Sequence, residues 1–162
     1  GRYDAIIQNA GRVFEENKYL GWGGHIAYIE GMAHLRQGDA AKALAAFSKA
    51  SNPAIVARFE EEISKGKVSA MIELGRTDDA EPLLAKLKAS KQADVAAFAF
   101  LSEGKLLEKQ GRMKEAVLEY LKVVLLFQEG RADMERQEAT TRVSALLKEI
   151  GDPRWKDFTN EG

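Results

Sequence analysis

The chain has 162 residues, 45 % of them hydrophobic, with 24 basic and 25 acidic side chains, a net charge of −1 and no cysteine. That length suits one domain with a substantial core, the interspersed charges leave no electrostatic footprint for nucleic acid or an anionic membrane, and disulfide or cysteine-based zinc and redox sites are excluded. The longest uncharged apolar stretches, Val95 to Leu101 and Val123 to Phe127, fall far short of the roughly 20 residues that span a bilayer, so a soluble chain without a membrane span is expected.

Taken in chain order, the first helix is expected over about Tyr3 to Lys18, where Ile6, Ile7, Ala10, Val13 and Phe14 recur at helical spacing. It reads as the second half of a hairpin whose first half is absent. With Gly1 in place of an initiating Met, this suggests a segment excised or processed from a longer protein. Gly21-Trp22-Gly23-Gly24 breaks the periodicity, and a hairpin follows over about His25 to Gln37 and Asp39 to Ala50. Ser51-Asn52-Pro53 combines a stop with a start, because Asn caps helices and proline suits the first helical turn. A long helix is expected from Pro53 to Leu74, with a return from about Thr77 to Ala89 capped by Thr77 or Asp78. A third hairpin spans about Asp94 to Gln110 and Met113 to Phe127, then a polar loop from Gln128 to Ala132 and a last helix from about Asp133 to Ile150. The tail carries Trp155 and Phe158, which either cap the last hairpin or dock on a neighbouring part of a longer protein.

Five glycines punctuate these helices: Gly1, Gly38, Gly75, Gly111 and Gly151, at intervals of 37, 37, 36 and 40 residues and each followed by Arg or Asp. Glycine just past a helix adopts the left-handed conformation that satisfies the last orphan carbonyls. Around them the flanks repeat. Seven residues before stand Gly31, Val68, Gly104 and Ser144, and five before stand Ala33, Ala70, Leu106 and Leu146. Five after come Ala43, Ala80 and Ala116; nine after, Phe47, Leu84 and Tyr120; twelve after, Ala50, Leu87 and Val123. Small residues let antiparallel helices approach, and the larger residue a turn further on fills the gap beside the next hairpin.

This pattern resembles the tetratricopeptide repeat, with a small residue in the first helix, a glycine turn, then alanine and a large apolar residue in the second. The fullest copies are Gly31, Ala33, Gly38, Asp39, Ala43, Phe47, Ala50 and Pro53, and Phe100, Gly104, Gly111, Ala116, Tyr120 and Val123. The middle copy departs from it at Val68 and Pro82, and the first and last are partial. The resemblance implies an all-α, right-handed superhelix of about eight helices in antiparallel hairpins. It would form a single domain, with a partial repeat at 1–20, repeats at about 22–52, 53–90 and 94–127, and a partial repeat at 133–162. It further implies a concave groove lined by first-helix residues: His25, Tyr28, Met32 and Leu35; Glu62, Lys65, Ser69 and Ile72; Phe98, Leu101, Lys105 and Glu108; with Glu138, Thr141, Ala145 and Lys148 from the last helix. Such a groove suits a peptide or amphipathic helix with apolar anchors. Core packing uses the same residue types at the same spacing, so Tyr28, Leu35, Phe98 and Leu101 are equally read as core. Met32, Ser69 and Lys105 stand where the family's carboxylate clamp has asparagine, which argues against that clamp. Leu118 to Val124 also resembles bacterial envelope proteins built from these repeats.

Catalytic signatures are sparse. His25 and His34 are not spaced as a metal pair on one helical face; His34 reads as a core or half-buried ring and His25 as exposed. Gly21-Trp22-Gly23-Gly24 has no preceding strand and no following Lys-Ser/Thr pair, and Gly66-Lys67-Val68-Ser69 lacks the upstream glycine of a phosphate loop. The adjacent carboxylates Glu15-Glu16 and Glu60-Glu61-Glu62 diverge around a helix and read as a solvated face. The expectation is a non-catalytic interaction module without cofactor or metal. Its partner would be a protein or peptide in the cytosol or the bacterial periplasm. A spacer or self-associating unit of a larger assembly is the alternative.

Overall fold

Four glycine turns share one hydrogen-bonding pattern, and the helices they join follow the expected order. The computed structural model describes residues 1–17, 23–49, 57–127 and 130–159. Among these, eight α-helices run α1 Arg2–Asn17, α2 Gly23–Arg36, α3 Ala40–Lys49, α4 Ala57–Glu73, α5 Thr77–Lys88, α6 Ala93–Lys109, α7 Met113–Leu126 and α8 Asp133–Glu149, followed by a 3₁₀ helix, Pro153–Phe158. No strand occurs among the described residues. The chain is all-α. Helix α2 begins at Gly23, so only Gly21 and Trp22 of the expected glycine break lie outside the described residues, as do the Ser51-Asn52-Pro53 cap, Ala50, Gln128 and Glu129. Thr77 and Asp78, expected to cap α5, are instead its first two residues, with Arg76 before them.

The turn after α2 shows the shared pattern. Gly38, at φ +78°, donates its N–H to the Leu35 carbonyl (3.0 Å) while Asp39 donates to that of His34 (2.9 Å). This pair of bonds closes a helix whose next residue must be left-handed, a conformation that costs glycine nothing. Gly75, Gly111 and Gly151 repeat it with the carbonyls of Met71, Leu107 and Leu147. The Asp or Arg after each glycine also has a use. Asp39 Oδ1 accepts the Lys42 N–H at 3.1 Å, a proper N-cap, whereas Arg76 and Arg112 reach forward to Asp79 and Glu115 in the first turn of the next helix. The Lys42 and Arg112 partners hold the Asp39 and Glu115 carboxyls below the usual range.

The helices fall into two compact units, Gly1–Leu83 and Leu84–Gly162, with the boundary inside α5 just after Pro82. In the first unit α1 packs on α2, α2 on α3, α3 on α4, and α2 also touches α4. In the second, α6 packs on α7, α7 on α8, α6 on α8, and the 3₁₀ helix folds back on α8. The repeated small and large positions are core: Ala43, Phe47, Val68, Ala70, Ala80, Ala116, Tyr120 and Val123 are fully buried.

At the centre of the first unit the Phe47 ring of α3 lies against two glycines, Gly31 of α2 and Gly66 of α4. A Cβ on Gly31 would lie 2.5 Å from that ring, and one on Gly66 would collide as severely. Tyr120 of α7 occupies Gly104 of α6 in the same way. Gly66 therefore belongs to helix–helix contact and not to a phosphate loop.

Glycine to alanine inside a helix ordinarily gains up to about 1 kcal/mol. Gly11→Ala in α1, where a Cβ meets nothing within 4 Å, should raise the urea midpoint by that route. Gly66→Ala should lower it, the overpacking costing about 1–3 kcal/mol, and adding Phe47→Leu should recover part of the loss.

Candidate functional site

Two surfaces are candidates for holding a ligand, one in each unit. In the first unit, α2 presents His25 exposed and Tyr28, Met32 and Leu35 half-buried, their inner atoms packed on the Phe47 cluster. The Tyr28 and Phe47 ring centroids are 6.1 Å apart at 48°, a tilted contact of the kind aromatic pairs favour. Beside α2, α4 contributes Lys65 and Ser69, both half-buried, whereas Ile72 is buried. Lys65 Nζ lies 3.4 Å from Glu62 Oε1. Burial raises the Tyr28 phenol above its ordinary value, and the Glu62 charge adds to the rise. Helices α2 and α4 are in contact, and the Glu62 charge reaches Tyr28 across them.

The α6 candidates meet a different environment. Phe98 is half-buried, and Leu101 is buried in the core of the second unit. Lys105 Nζ pairs with Glu138 of α8 at 2.6 Å. Glu108 Oε1 accepts the hydroxyl hydrogen of Tyr120, and its Oε2 lies 3.4 Å from Arg142 Nη1. Burial, reinforced by the Glu108 bond, pushes the Tyr120 phenol far above its usual range. These charges tie α6 to α7 and α8. Thr141, Ala145 and Lys148 of α8 are exposed.

His34 is buried, with Nε2 4.0 Å from Glu30 Oε1 and Nδ1 without a hydrogen-bond partner. Glu30, also buried, faces Lys49 Nζ, which sits 3.3 Å from both its carboxylate oxygens. The expected core placement of His34 and exposed placement of His25 are what the structure shows.

The second surface is a cavity of about 540 Å³ in the second unit, lined by Val117, Leu118 and Leu121 of α7, Leu147 of α8, Ile150 and Phe158, with Lys114, Asp152, Arg154 and Asp157 at its polar edge. It lies within the size range of ligand pockets. Its wall is the 3₁₀ helix. Trp155 and Phe158 pack on the core, Ser144 donates its hydroxyl to the Trp155 carbonyl at 3.3 Å, and Lys148 Nζ lies 5.4 Å from the Trp155 ring. Ser144 stands seven residues before Gly151, as Gly31 and Gly104 stand before Gly38 and Gly111, and the segment that follows Gly151 is the 3₁₀ helix. The repeat pattern gave no sign of this cavity. A signal was present in α7, where Leu118, Leu121 and Leu125 form an apolar stripe in addition to the core face of Ala116, Tyr120 and Val123.

Among the described residues no group of three or more His, Cys, Asp or Glu could hold a metal ion, and no helix is long and apolar enough to cross a membrane. Comparison with protein-family models, with curated proteins and with solved structures returns no match.

Asp152 secures the cavity wall. Its Oδ1 accepts the Arg154 backbone N–H at 3.0 Å and the Arg154 Nε at 2.9 Å, and the guanidinium holds its carboxyl down at about 2. Because this pKa lies below its unfolded value of about 3.9, the stabilisation of the 3₁₀ helix is present above about pH 4 and is lost as pH falls through about 2. Trp155 fluorescence, read in a Trp22→Phe background, should change over that window. Asp152→Asn should already show the low-pH signal at neutral pH, and an unaltered acid transition in that variant would refute the assignment.

Proposed function

We propose that the hairpins are tetratricopeptide-like repeats and that the protein is a non-catalytic interaction module. A peptide or helical segment of another protein lies along the α2–α4 face of the first unit, in the concave groove that such repeats form. The observation that carries this reading is the row Tyr28, Met32 and Leu35, each packed beneath and open above, beside half-buried Lys65 and Ser69. Half-buried apolar side chains already fixed by packing lose little rotamer freedom when a ligand covers their exposed atoms, which favours them as anchors. Lys65 and Glu62 at the edge supply polar discrimination. The equivalent face of the second unit has its charges engaged between helices, which favours the first unit as the binding surface.

A second reading, self-association within a larger assembly, is favoured by the exposed apolar side chains of α7 and α8, Leu118, Leu125, Leu126 and Met134.

A photo-crosslinking amino acid placed at Met32 or at Ser69 in the native host should capture the same partner peptide. The same group at Ala45, exposed on α3, should capture none. Met32→Glu should then weaken binding of that peptide at least tenfold, about 1.4 kcal/mol. Equal capture at all three positions would dismiss the groove.

A further inference from the structure

The 3₁₀ helix walls the cavity and lies on the core of the second unit, yet none of its residues is buried. A 3₁₀ helix has three residues per turn, so side chains three apart stand on one stripe. Trp155 and Phe158 form the inner stripe and are half-buried, while Arg154 and Asp157 on the next stripe are exposed at the cavity edge. The element therefore meets the core through two rings. The cluster they pack on includes Val117 and Leu147, which also line the cavity and are only 6 % and 5 % exposed.

The segment is also stapled within itself. Asp152 Oδ1 accepts the Arg154 backbone N–H at 3.0 Å and the Arg154 Nε at 2.9 Å, and Thr159 donates its hydroxyl to the Lys156 carbonyl at 2.9 Å. These bonds hold its shape whether or not it lies on α8. Among the described residues, its polar ties to α8 are the Asp152 N–H on the Leu147 carbonyl at 2.8 Å, the Ser144 hydroxyl on the Trp155 carbonyl at 3.3 Å, and Lys148 Nζ, 5.4 Å from the Trp155 ring. The first of these is made at Gly151, φ +75°, and glycine is the residue type that moves freely between left-handed and right-handed backbone. An element with few buried apolar atoms, its own staples and a glycine at its root belongs to the low-stability end of a fold.

We propose that residues 152–158 form a strap that swings off α8 as one piece at Gly151 while α6, α7 and α8 stay folded, opening the wall of the cavity and baring Val117 and Leu147. The strap is independent of the α2–α4 face. Its motion differs from fraying residue by residue. Trp155 and Phe158 share a stripe of a stapled helix, so release of one ring carries the other with it.

Amide hydrogen exchange of the 162-residue chain reads this opening, because the Trp155 N–H is held by the Asp152 carbonyl and the Thr159 N–H by that of Lys156. Both amides should show the same protection, about a hundredfold below that of Val143 and Leu146 inside α8. Trp155→Ala should lower protection at positions 155 and 159 by one common factor, about tenfold, and leave Val143 and Leu146 unchanged. Lys148→Ala, which removes only the cation beside the ring, should act in the same direction. A cysteine tests what is bared, since the chain has none of its own. The thiol of Val117→Cys should react with a maleimide faster by that same factor once Trp155→Ala is added. That of Val123→Cys, fully buried and outside the cavity lining, should not. Protection at Trp155 and Thr159 equal to that inside α8 would overturn the strap, and so would a response at Thr159 that does not follow position 155, the mark of fraying. Labelling of Val117→Cys that ignores Trp155→Ala would show that the cavity mouth already admits the reagent and would overturn the covering role.

Discussion

An aromatic ring seated on glycine is the contact on which the rest of the first unit depends. Phe47 reaches Gly31 in its own hairpin and Gly66 in the following helix, so one side chain sets the approach of three helices, α2, α3 and α4. The two mid-helix glycines are unfavourable by about 1 kcal/mol each. Burying the ring contributes about 1.5–3 kcal/mol, and the contacts that close approach permits between α2 and α4 come in addition. In the second unit Tyr120 repeats the contact on Gly104 and adds a polar tip, which Glu108 receives. A phenylalanine there would leave that carboxylate without its hydroxyl partner, so the choice of tyrosine belongs with the charged residues of α6 and α8.

Much of this could be read from the residues because local rules and tertiary packing agree. The glycines at 38, 75 and 111, the alanines five residues after them and the large residue four further on (Phe47, Leu84 and Tyr120) each have a single structural use. The glycines make left-handed turns, and the other two sets are buried in the core. Helix ends were legible to within a few residues wherever a glycine turn set them. At α2 the start falls at Gly23, two residues before the expected His25, and α5 begins at Thr77 as expected, with Arg76 acting through Asp79 in place of a capping hydroxyl.

The face of a helix was legible but depth along it was not. Periodicity assigns Tyr28, Ile72, Leu101 and Glu108 to one kind of position. Their burial depends on the side chain that the neighbouring helix brings opposite, and that is decided by interhelical register. Leu101 meets the core, while Glu108 meets Tyr120 and Arg142. The cavity was legible only in part. The Leu118, Leu121 and Leu125 stripe of α7 marks apolar surface beyond the core face, but the 3₁₀ helix that walls the cavity follows Gly151, and no spacing in α7 or α8 announces it.

Equivalent positions in the two units carry opposite chemistry on similar backbones. Met32 and Leu35 of α2 correspond in register to Lys105 and Glu108 of α6, and Glu62, Lys65 and Ser69 of α4 correspond to Glu138, Thr141 and Ala145 of α8. In the first unit the α2 face therefore keeps Tyr28, Met32 and Leu35 partly exposed. In the second unit that face is crossed by ion pairs whose members are partly exposed, pairs that add little stability but occupy the surface. The open apolar atoms of the second unit lie elsewhere, on α7 and at the start of α8. Such divergence is tolerated because the turn and core positions hold the helices of each unit together, which leaves the exposed positions to vary at little cost to the fold.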